Sequence, residues 1–546
     1  MAKIKVPSLL IVGAVLIGFL MGSGLSGQVH AESEGLLGQL HVFNQVLRYI
    51  KTNYVEEVDS QDLVNSAIDG MLEQLDPHST YVNPESFSRM NERNSGEYEG
   101  IGISFEMRDG YITVVSAIEG GPSYGLGIRP GDRIVAIEGE SAKDLNSQDV
   151  VSKLKGPKGT KVNISVARPG LDKELAFTIV RDKIPIYSIP YTFMLDDGKT
   201  GYLRMIRFSA TTSEELTTAL RDLESQGMER LILDLRNNSG GFLNQAIEVS
   251  DKFIDGNEVV VYTKGRIDGA SQYYYSTDDA TFAKYPLIVL VNHGSASASE
   301  IVSGAVQDHD RGLVAGVTTF GKGLVQRQYM LSDGGALLLT VARYYTPSGR
   351  LIQRPYEDRD EYLDHFRLAD QDEDGNAVAQ APADTTEKPV FYTLNEKRVV
   401  YGGGGITPDV EINLEREFNE IQVKLEQSQL FFEFAAEYVA THFDPATLNA
   451  TEFVRDYQVT DATIDEFDAQ ALATDVVELS REELDAEREY IRAAIKRELA
   501  GNMWGINARY QVYVKDDPVL SEALTHFPEA VEMAKIYERG WSTNNR

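Results

Sequence analysis

A chain of 546 residues exceeds one typical core, so about two to four domains are expected, and an apolar share of 42% is enough to fold most of it. The formal net charge of -32, from 52 basic and 84 acidic residues, repels polyanions and argues against nucleic acid or anionic lipid as partners. Cysteine is absent, which excludes disulfides, thiolate metal sites, a cysteine nucleophile and a lipidated N-terminal cysteine.

At the N-terminus, Lys3 and Lys5 precede an uncharged apolar stretch from Val6 to Leu25, with Val29-His30-Ala31 beyond it. A basic flank, an apolar core and a small residue at a cleavage point predict an export signal over residues 1–31. The apolar run is also long enough for an uncleaved membrane anchor. Either reading places the bulk of the protein outside the cytoplasm, most simply in a bacterial periplasm and, with the anchor kept, on the inner membrane. Residues 36–96 read as a small helical unit. Leu40, Phe43, Leu47 and Ile50 recur at helical spacing, as do Leu63, Ala67, Met71 and Leu75, until Asp76-Pro77-His78-Ser79 breaks the pattern.

Residues 97–182 carry Tyr98-Glu-Gly-Ile-Gly-Ile-Ser-Phe105, several short strands, Ile128-Arg-Pro-Gly-Asp-Arg-Ile-Val135 and a helix from Ser147 to Leu154. A loop through Gly100, Ile101, Gly102 and Ile103 can turn its amides toward a terminal carboxylate, and a peptide can add as a strand between the next strand and that helix. Ile101, Ile103 and Val151 or Leu154 would line an apolar pocket for the last side chain. A glycine pair alone marks only a tight turn, but the full order of elements resembles a PDZ domain.

Residues 183–412 look like an α/β core. Strand candidates are Gly201–Met205, Leu231–Leu235, Leu287–Val291, Leu313–Val317 and Ala336–Tyr344, separated by helical segments such as Ser213–Ser225. Three segments within it carry chemistry. Leu231-Ile-Leu-Asp-Leu-Arg-Asn-Asn-Ser-Gly-Gly241 is a buried-strand pattern ending in a glycine turn, where backbone amides can approach a ligand and donate to an oxyanion. Gly294-Ser-Ala-Ser-Ala-Ser-Glu300 follows an apolar run, Pro286 to Asn292, and precedes the helical spacing of Ile301 to Gln307. A small hydroxyl residue there stands where a strand becomes a helix N-terminus, the place of an exposed nucleophile, although a serine cap accounts for the same pattern. Thr318 to Gln326 supplies Lys322 as a base. Read as a strand, it puts Lys322 and Gln326 on one face, so the neutral amide can orient the amine. A free lysine, with a pKa of about 10.4, is protonated at neutral pH, so this role requires burial. Phe320, Leu324 and Val325 are the candidate walls. The three segments look like a serine peptidase with a Ser-Lys dyad. The competing Ser-His-Asp reading has only His293, four residues before Ser297, and His309, between Asp308 and Asp310, and neither follows an established triad order.

From Arg354 to Lys388 the chain is acidic and loop-like. Asp370, Asp372, Asp374 and Gly375 match the start of a calcium loop, but its twelfth position is Ala381 instead of glutamate, so a solvated loop is expected and no metal or cofactor is called for. Residues 413–546 read as an acidic, mainly helical region. There Leu430, Phe431, Phe432, Phe434 and Tyr438 are available to pack on the core or on a second subunit.

In order, Asp234-Leu-Arg-Asn-Asn-Ser-Gly-Gly241, the run Ser295 to Glu300, Thr319-Phe-Gly-Lys-Gly-Leu-Val-Gln326, Tyr345-Thr-Pro-Ser-Gly-Arg350 and Gly405-Ile-Thr-Pro-Asp409 resemble the C-terminal processing peptidases, or tail-specific proteases. The resemblance covers about residues 36–412. It implies Ser297 as nucleophile, Lys322 as general base, Gln326 as its orienting partner, and the amides of Ala298 and Gly241 as oxyanion hole. Many relatives have glycine where this chain has Ser239, and Ser295 and Ser299 become packing or capping residues. It also implies dimer contacts through the N-terminal helical segment, hence a homodimer. The expectation is a multidomain α/β protein: helical N-terminal segment, PDZ-like β-rich domain, α/β catalytic core and acidic helical C-terminal region. Its expected activity is that of an exported serine endopeptidase that recognises apolar C-terminal tails of proteins and cleaves upstream of them. An inactive PDZ-containing scaffold or chaperone is the alternative, disfavoured by the intact Ser297, Lys322 and Gln326 set.

Overall fold

The computed structural model describes residues 35–278, 280–357, 359, 362, 388–414, 416–443, 447–474 and 479–544. The expected export segment and the calcium-like stretch from Asp370 to Ala381 lie outside them. No helix among the described residues is long and apolar enough to cross a membrane. The chain divides into two compact units, Met1–Tyr81 and Val82–Arg546.

The first unit holds two helices, 35–53 and Ser60–Leu72. Asp59 starts the second by accepting the Gln61 N–H at 2.6 Å, as a short acceptor at an N-cap should. Leu36, Leu40 and Phe43 are exposed, and Ser60–Leu72 buries no residue.

The second unit opens with the helix Pro84–Ser95, capped by Asn83 with proline at its first turn. An antiparallel sheet follows in the order Ile103–Arg108, Tyr111–Ala117, Arg133–Ile137, Lys161–Ala167, Leu175–Val180. Its apolar positions, among them Ile112, Val114, Ile134 and Ile164, close a core with Val150 and Leu154 from the helix Ser147–Leu154. Ile103–Arg108 is an edge strand, with a neighbour on one side only. Glu97–Gly100 pairs with Asp182–Pro185 where the chain enters and leaves this domain.

The α/β core is built on a six-stranded sheet in the order Tyr191–Met194, Thr200–Arg204, Arg230–Asp234, Leu287–Val291, Leu313–Gly316, Val410–Glu411. All pairings are parallel except that of the first strand. Strands covered on both faces read as continuous apolar runs, and their side chains alternate between two cores. Leu231, Leu233, Leu287, Val289 and Val291 face one core, with Leu216, Leu220, Val249, Val302 and Val306 from the helices Thr212–Ser225, Leu243–Asp251 and Ala298–Asp308. Ile232, Ile288 and Leu290 face the other, which is completed by Leu520, Ala523, Phe527, Ala530 and Met533. Those come from the helices Pro518–Thr525 and Phe527–Asn544, which cover the back of this sheet. A second sheet runs Leu324–Met330, Ala336–Tyr345, Val259–Gly265, Gln272–Tyr275.

The remaining C-terminal helices have their own core. Leu430, Phe431, Phe434, Phe453, Phe467, Ile495 and Leu499 share it, with Phe431 and Phe467 stacked at 4.8 Å. Phe432 points elsewhere, under the guanidinium of Arg108 in the PDZ-like sheet, 4.4 Å from its carbon.

Candidate active site

The strand Leu287–Val291 is fully buried, and the chain must turn sharply to leave it. Ser295 and Ser299 make the turn. Ser295 accepts the Asn292 N–H at 3.0 Å and donates to the Leu235 carbonyl at 2.8 Å, while Ser299 donates to the Asn238 carbonyl at 2.8 Å. Both are fully buried, so their hydroxyls are consumed in tying this turn to the one after Asp234. Ser297 between them is only half-buried. Its φ of +53° and ψ of -109° lie in a region that costs a non-glycine residue about 1–3 kcal/mol. It is the N-cap of Ala298–Asp308, the strained strand-to-helix junction at which a side-chain oxygen is displayed above a sheet.

The glycine turn lies directly against this junction. A Cβ on Gly240 would stand 2.8 Å from the Ser297 Cβ and 2.9 Å from the Ala298 nitrogen. Gly241, at φ +147°, runs so close to Phe208 that a Cβ would meet its carbonyl oxygen at 2.1 Å. Phe208 N–H donates to the Gly240 carbonyl and Phe242 N–H to the Phe208 carbonyl, both at 2.9 Å, which pins the turn from either side. Among the described residues, the N–H groups of Gly241 and Ala298 have no hydrogen-bond acceptor.

Lys322 reaches Gln326, with Nζ donating to Oε1 at 3.1 Å. The strand expected to carry both begins only at Leu324, so the same-face argument does not hold. Lys322 sits in the preceding loop because the backbone there donates to side chains: Gly321 and Lys322 to Glu300, and Gly323 to Gln353 at 2.8 Å. A register irregularity between Val325 and Gln326 accompanies the contact. Of the expected walls, Phe320 and Leu324 are buried and Val325 is half-buried.

Glu300 is the residue that the sequence reading missed. Its carboxylate is fully buried and accepts four hydrogen bonds, from Ser297 N–H at 2.8 Å, Thr319 Oγ1 at 2.6 Å, Gly321 N–H at 2.7 Å and Lys322 N–H at 2.9 Å. Burial raises its pKa above the ordinary glutamate value, and the four donors oppose that shift. The signal was present in Ser297-x-x-Glu300, the spacing at which a third-position glutamate returns to the N-cap amide. Tyr344 adds a bond from its hydroxyl to the Ser297 carbonyl at 3.1 Å, and burial pushes its phenol well above 10.

The His293 Nδ1 lies 2.7 Å from the Thr318 carbonyl, and the His309 Nε2 lies 2.8 Å from the Val259 carbonyl. No group of three or more metal-ligating side chains occurs among the described residues.

Arg236, in the turn leading to Gly240, binds Asp234 at 2.6 Å and Asp517 of the C-terminal region at 2.6 Å. In the PDZ-like domain, Ile101 is buried, Ile103 is half-buried and Val151 is exposed. The N–H groups of Ile101 and Gly102 have no acceptor among the described residues. A cavity of about 2470 Å³ lies between this domain, the core and the C-terminal helices, lined by Ser104, Arg108, Asn237, Asn292 and Phe432 among others.

The model of peptidase family S41 matches residues 199–361, a PDZ domain matches 113–168, and the N-terminal domain of the activating protease CtpB matches 23–86. Residues 423–505 match a family of unknown function. The carboxy-terminal-processing protease of Bartonella bacilliformis is 40% identical over 319 residues, 58% of this chain and 73% of that protein. The carboxy-terminal processing protease CtpA of Bacillus subtilis is 36% identical over 346 residues, 63% of this chain and 73% of that protein. A solved PDZ domain of a carboxy-terminal protease from Vibrio cholerae, in complex with peptide, is 41% identical and covers 16% of this chain and 97% of its own, with a TM-score of 0.15. A PDZ domain, the S41 core and relatives of this closeness together identify the chain as a serine-type peptidase of family S41, among the carboxy-terminal processing proteases.

Proposed function

We propose that this peptidase captures apolar C-terminal tails in its PDZ domain and hydrolyses a peptide bond upstream, with Ser297 as nucleophile and Lys322 as general base. The observation that carries the reading is that three separate segments are joined by the Glu300 carboxylate and the Gly240 contact. The strained Ser297, the amides of Gly241 and Ala298, which have no acceptor among the described residues, and the Lys322 to Gln326 pair are tied together through Glu300 and Gly240.

The neutral Lys322 amine takes the Ser297 hydroxyl proton as Oγ attacks the scissile carbonyl. The oxyanion that forms is received by the Gly241 and Ala298 N–H groups, whose direction is fixed before substrate arrives. The lysine ammonium then gives its proton to the leaving amine, and an acyl-serine ester remains. Lys322 next deprotonates a water that attacks this ester, and the proton returns to Oγ. Gln326 accepts a hydrogen bond from Nζ without adding negative charge, so it orients the amine and does not stabilise the protonated form as a carboxylate would.

The tail carboxylate binds at the N–H groups of Ile101 and Gly102, and the peptide adds to the open edge of Ile103–Arg108. Tethering raises the local concentration of the upstream segment, and the cavity beside Asn237 and Asn292 gives it room to reach the catalytic turns. The basic and apolar N-terminus supports placing the enzyme outside the cytoplasm, cleaved or anchored, and the exposed Leu36, Leu40 and Phe43 support pairing with a second copy.

The test is cleavage of an unfolded reporter bearing an apolar tail by wild type, Ser297→Ala and Lys322→Ala, with folding checked by circular dichroism. Loss of activity in both folded variants is expected. Activity retained in Lys322→Ala removes the dyad, and a folded but inactive wild type favours the binding scaffold.

A further inference from the structure

The carboxylate-binding loop of the PDZ domain has a lysine beside it that the proposed tail capture does not yet use. Lys155 ends the helix Ser147–Leu154, with its N–H donating to the Val151 carbonyl at 2.9 Å. Its Cα lies 3.7 Å from the point a Cβ on Gly100 would occupy. The Tyr98 ring touches that same point at 3.0 Å, and the Lys155 Nζ stands 4.8 Å above the centre of that ring. The ammonium is therefore held over an aromatic platform at the entrance to the Gly100–Ile103 loop. Among the described residues its acidic partner is Glu92 of the helix Pro84–Ser95. Both side chains are one-third exposed, so water can take part in their exchange and the pair is not locked.

The other cations of this corner have partners of their own. Arg181 spends its guanidinium on the carbonyls of Lys153, Leu154 and Lys161 and on Thr160 Oγ1. Lys153 pairs with Glu140 at 3.1 Å, Lys158 with Asp182 at 2.5 Å and Lys183 with Glu97 at 2.5 Å. A terminal carboxylate at the Ile101 and Gly102 amides adjoins Gly100, the residue against which Lys155 and the Tyr98 ring pack.

We infer that Lys155 is a specificity residue which distinguishes a free C-terminal carboxylate from an internal or amidated peptide, and that Glu92 is the built-in competitor the tail displaces. The inference rests on the tail-capture reading. Backbone amides bind a carboxylate and a carbonyl oxygen with similar geometry, so they alone discriminate weakly, whereas a cation favours the charged end. Because Glu92 already holds that cation, only an anion that also gains the two amides and the apolar pocket replaces it.

The experiment uses the full chain carrying Ser297→Ala, so that bound peptide is not cut, and a fluorescent decapeptide with an apolar last residue as free acid or as C-terminal amide. Wild-type groove residues should favour the free acid by tenfold or more, roughly the value of one charge-assisted contact. Lys155→Met should weaken the free acid about fivefold to tenfold and leave the amide unchanged, while Glu92→Gln should tighten the free acid about threefold. Combining the two should abolish the gain from Glu92→Gln. In the active enzyme, Lys155→Met should raise KM for a tailed substrate without lowering kcat. Full acid-over-amide preference in Lys155→Met overturns the inference and leaves tail capture standing. Equal weakening of acid and amide also overturns it, since the groove itself is then disturbed. No preference for the free acid with wild-type groove residues removes the tail-capture reading and this inference with it.

Discussion

Gly240 and Ser297 are packed so closely that a single methyl group on the glycine would lie 2.8 Å from the serine Cβ. The glycine also holds φ at +105°, which a larger residue adopts only under strain. Gly240→Ala should therefore lose about 2–4 kcal/mol of stability from strain and overpacking combined. It should also lower kcat at least a hundredfold, because Ser297 or the Gly240–Gly241 turn has to move. Chemical denaturation and steady-state cleavage measure the two effects. A fully active Gly240→Ala would show that the contact is tolerant.

Glu300 should behave as a positioning residue. One oxygen, Oε2, holds the amides of Ser297 and Lys322, and the other holds Thr319 and Gly321. Glu300→Gln keeps one acceptor oxygen and turns an NH2 group toward the other two donors, with a penalty of about 1–3 kcal/mol for each donor left unpaired. Its kcat should fall ten- to a hundredfold while KM for a tailed substrate stays within about twofold. Thr319→Val removes one of the four donors to Glu300 and, with it, the acceptor of the Ile406 N–H at 2.7 Å, so it should be milder than Glu300→Gln on kcat while costing stability of its own.

Gln326→Glu gives a pH test. In the proposed mechanism Lys322 works as a neutral amine, so activity should be lost as pH falls through its pKa. A carboxylate 3.1 Å from Nζ favours the ammonium and raises that pKa, so the acid limb of kcat/KM should move to higher pH by about one unit or more. At pH well above the new limb, activity should recover. A profile that does not move would place the base elsewhere.

Asp517 separates two jobs by atom. Its Oδ1 caps the helix Pro518–Thr525 by accepting from Val519 and Leu520, while its Oδ2 pairs with Arg236. Asp517→Asn keeps the cap oxygen and loses the ion pair, at a cost of about 1.5–3 kcal/mol for a charge-assisted bond. Asp517→Ala should cost roughly 1 kcal/mol more, the usual value of a cap. Both should lower kcat, since Arg236 begins the turn that carries Gly241. Equal stabilities for the two variants would show that the cap contributes nothing.

Local pattern made much of this legible. The apolar run at Leu287–Val291 and the helix Ser147–Leu154 occur with the expected bounds, because a buried strand and an amphipathic helix each write their period into adjacent residues. The meeting of that strand with small residues and a helix points to a small hydroxyl residue, and the family resemblance singles out Ser297. What escaped was long-range or carried by an ordinary-looking residue. A buried glutamate is spelled like a surface one, so Glu300 showed only in its distance from Ser297. Arg236 and Asp517 are 281 residues apart, and no periodicity links them. The face assigned to Lys322 and Gln326 failed because Glu300 and Gln353 take the backbone donors that a strand would have used.

The back of the catalytic sheet is covered by the last helices of the chain, and this sets a clock on the enzyme. Until residues 518–537 have left the ribosome, Ile232, Ile288 and Leu290 have nothing to pack on, and Asp517 has only just become available to Arg236. Domains that are contiguous in sequence can fold as they emerge, N-terminal first. This one cannot. The PDZ domain, whose core is its own, is therefore complete in the nascent chain well before the peptidase core, so the chain can hold a finished binding module while its cutting site is still unbuilt.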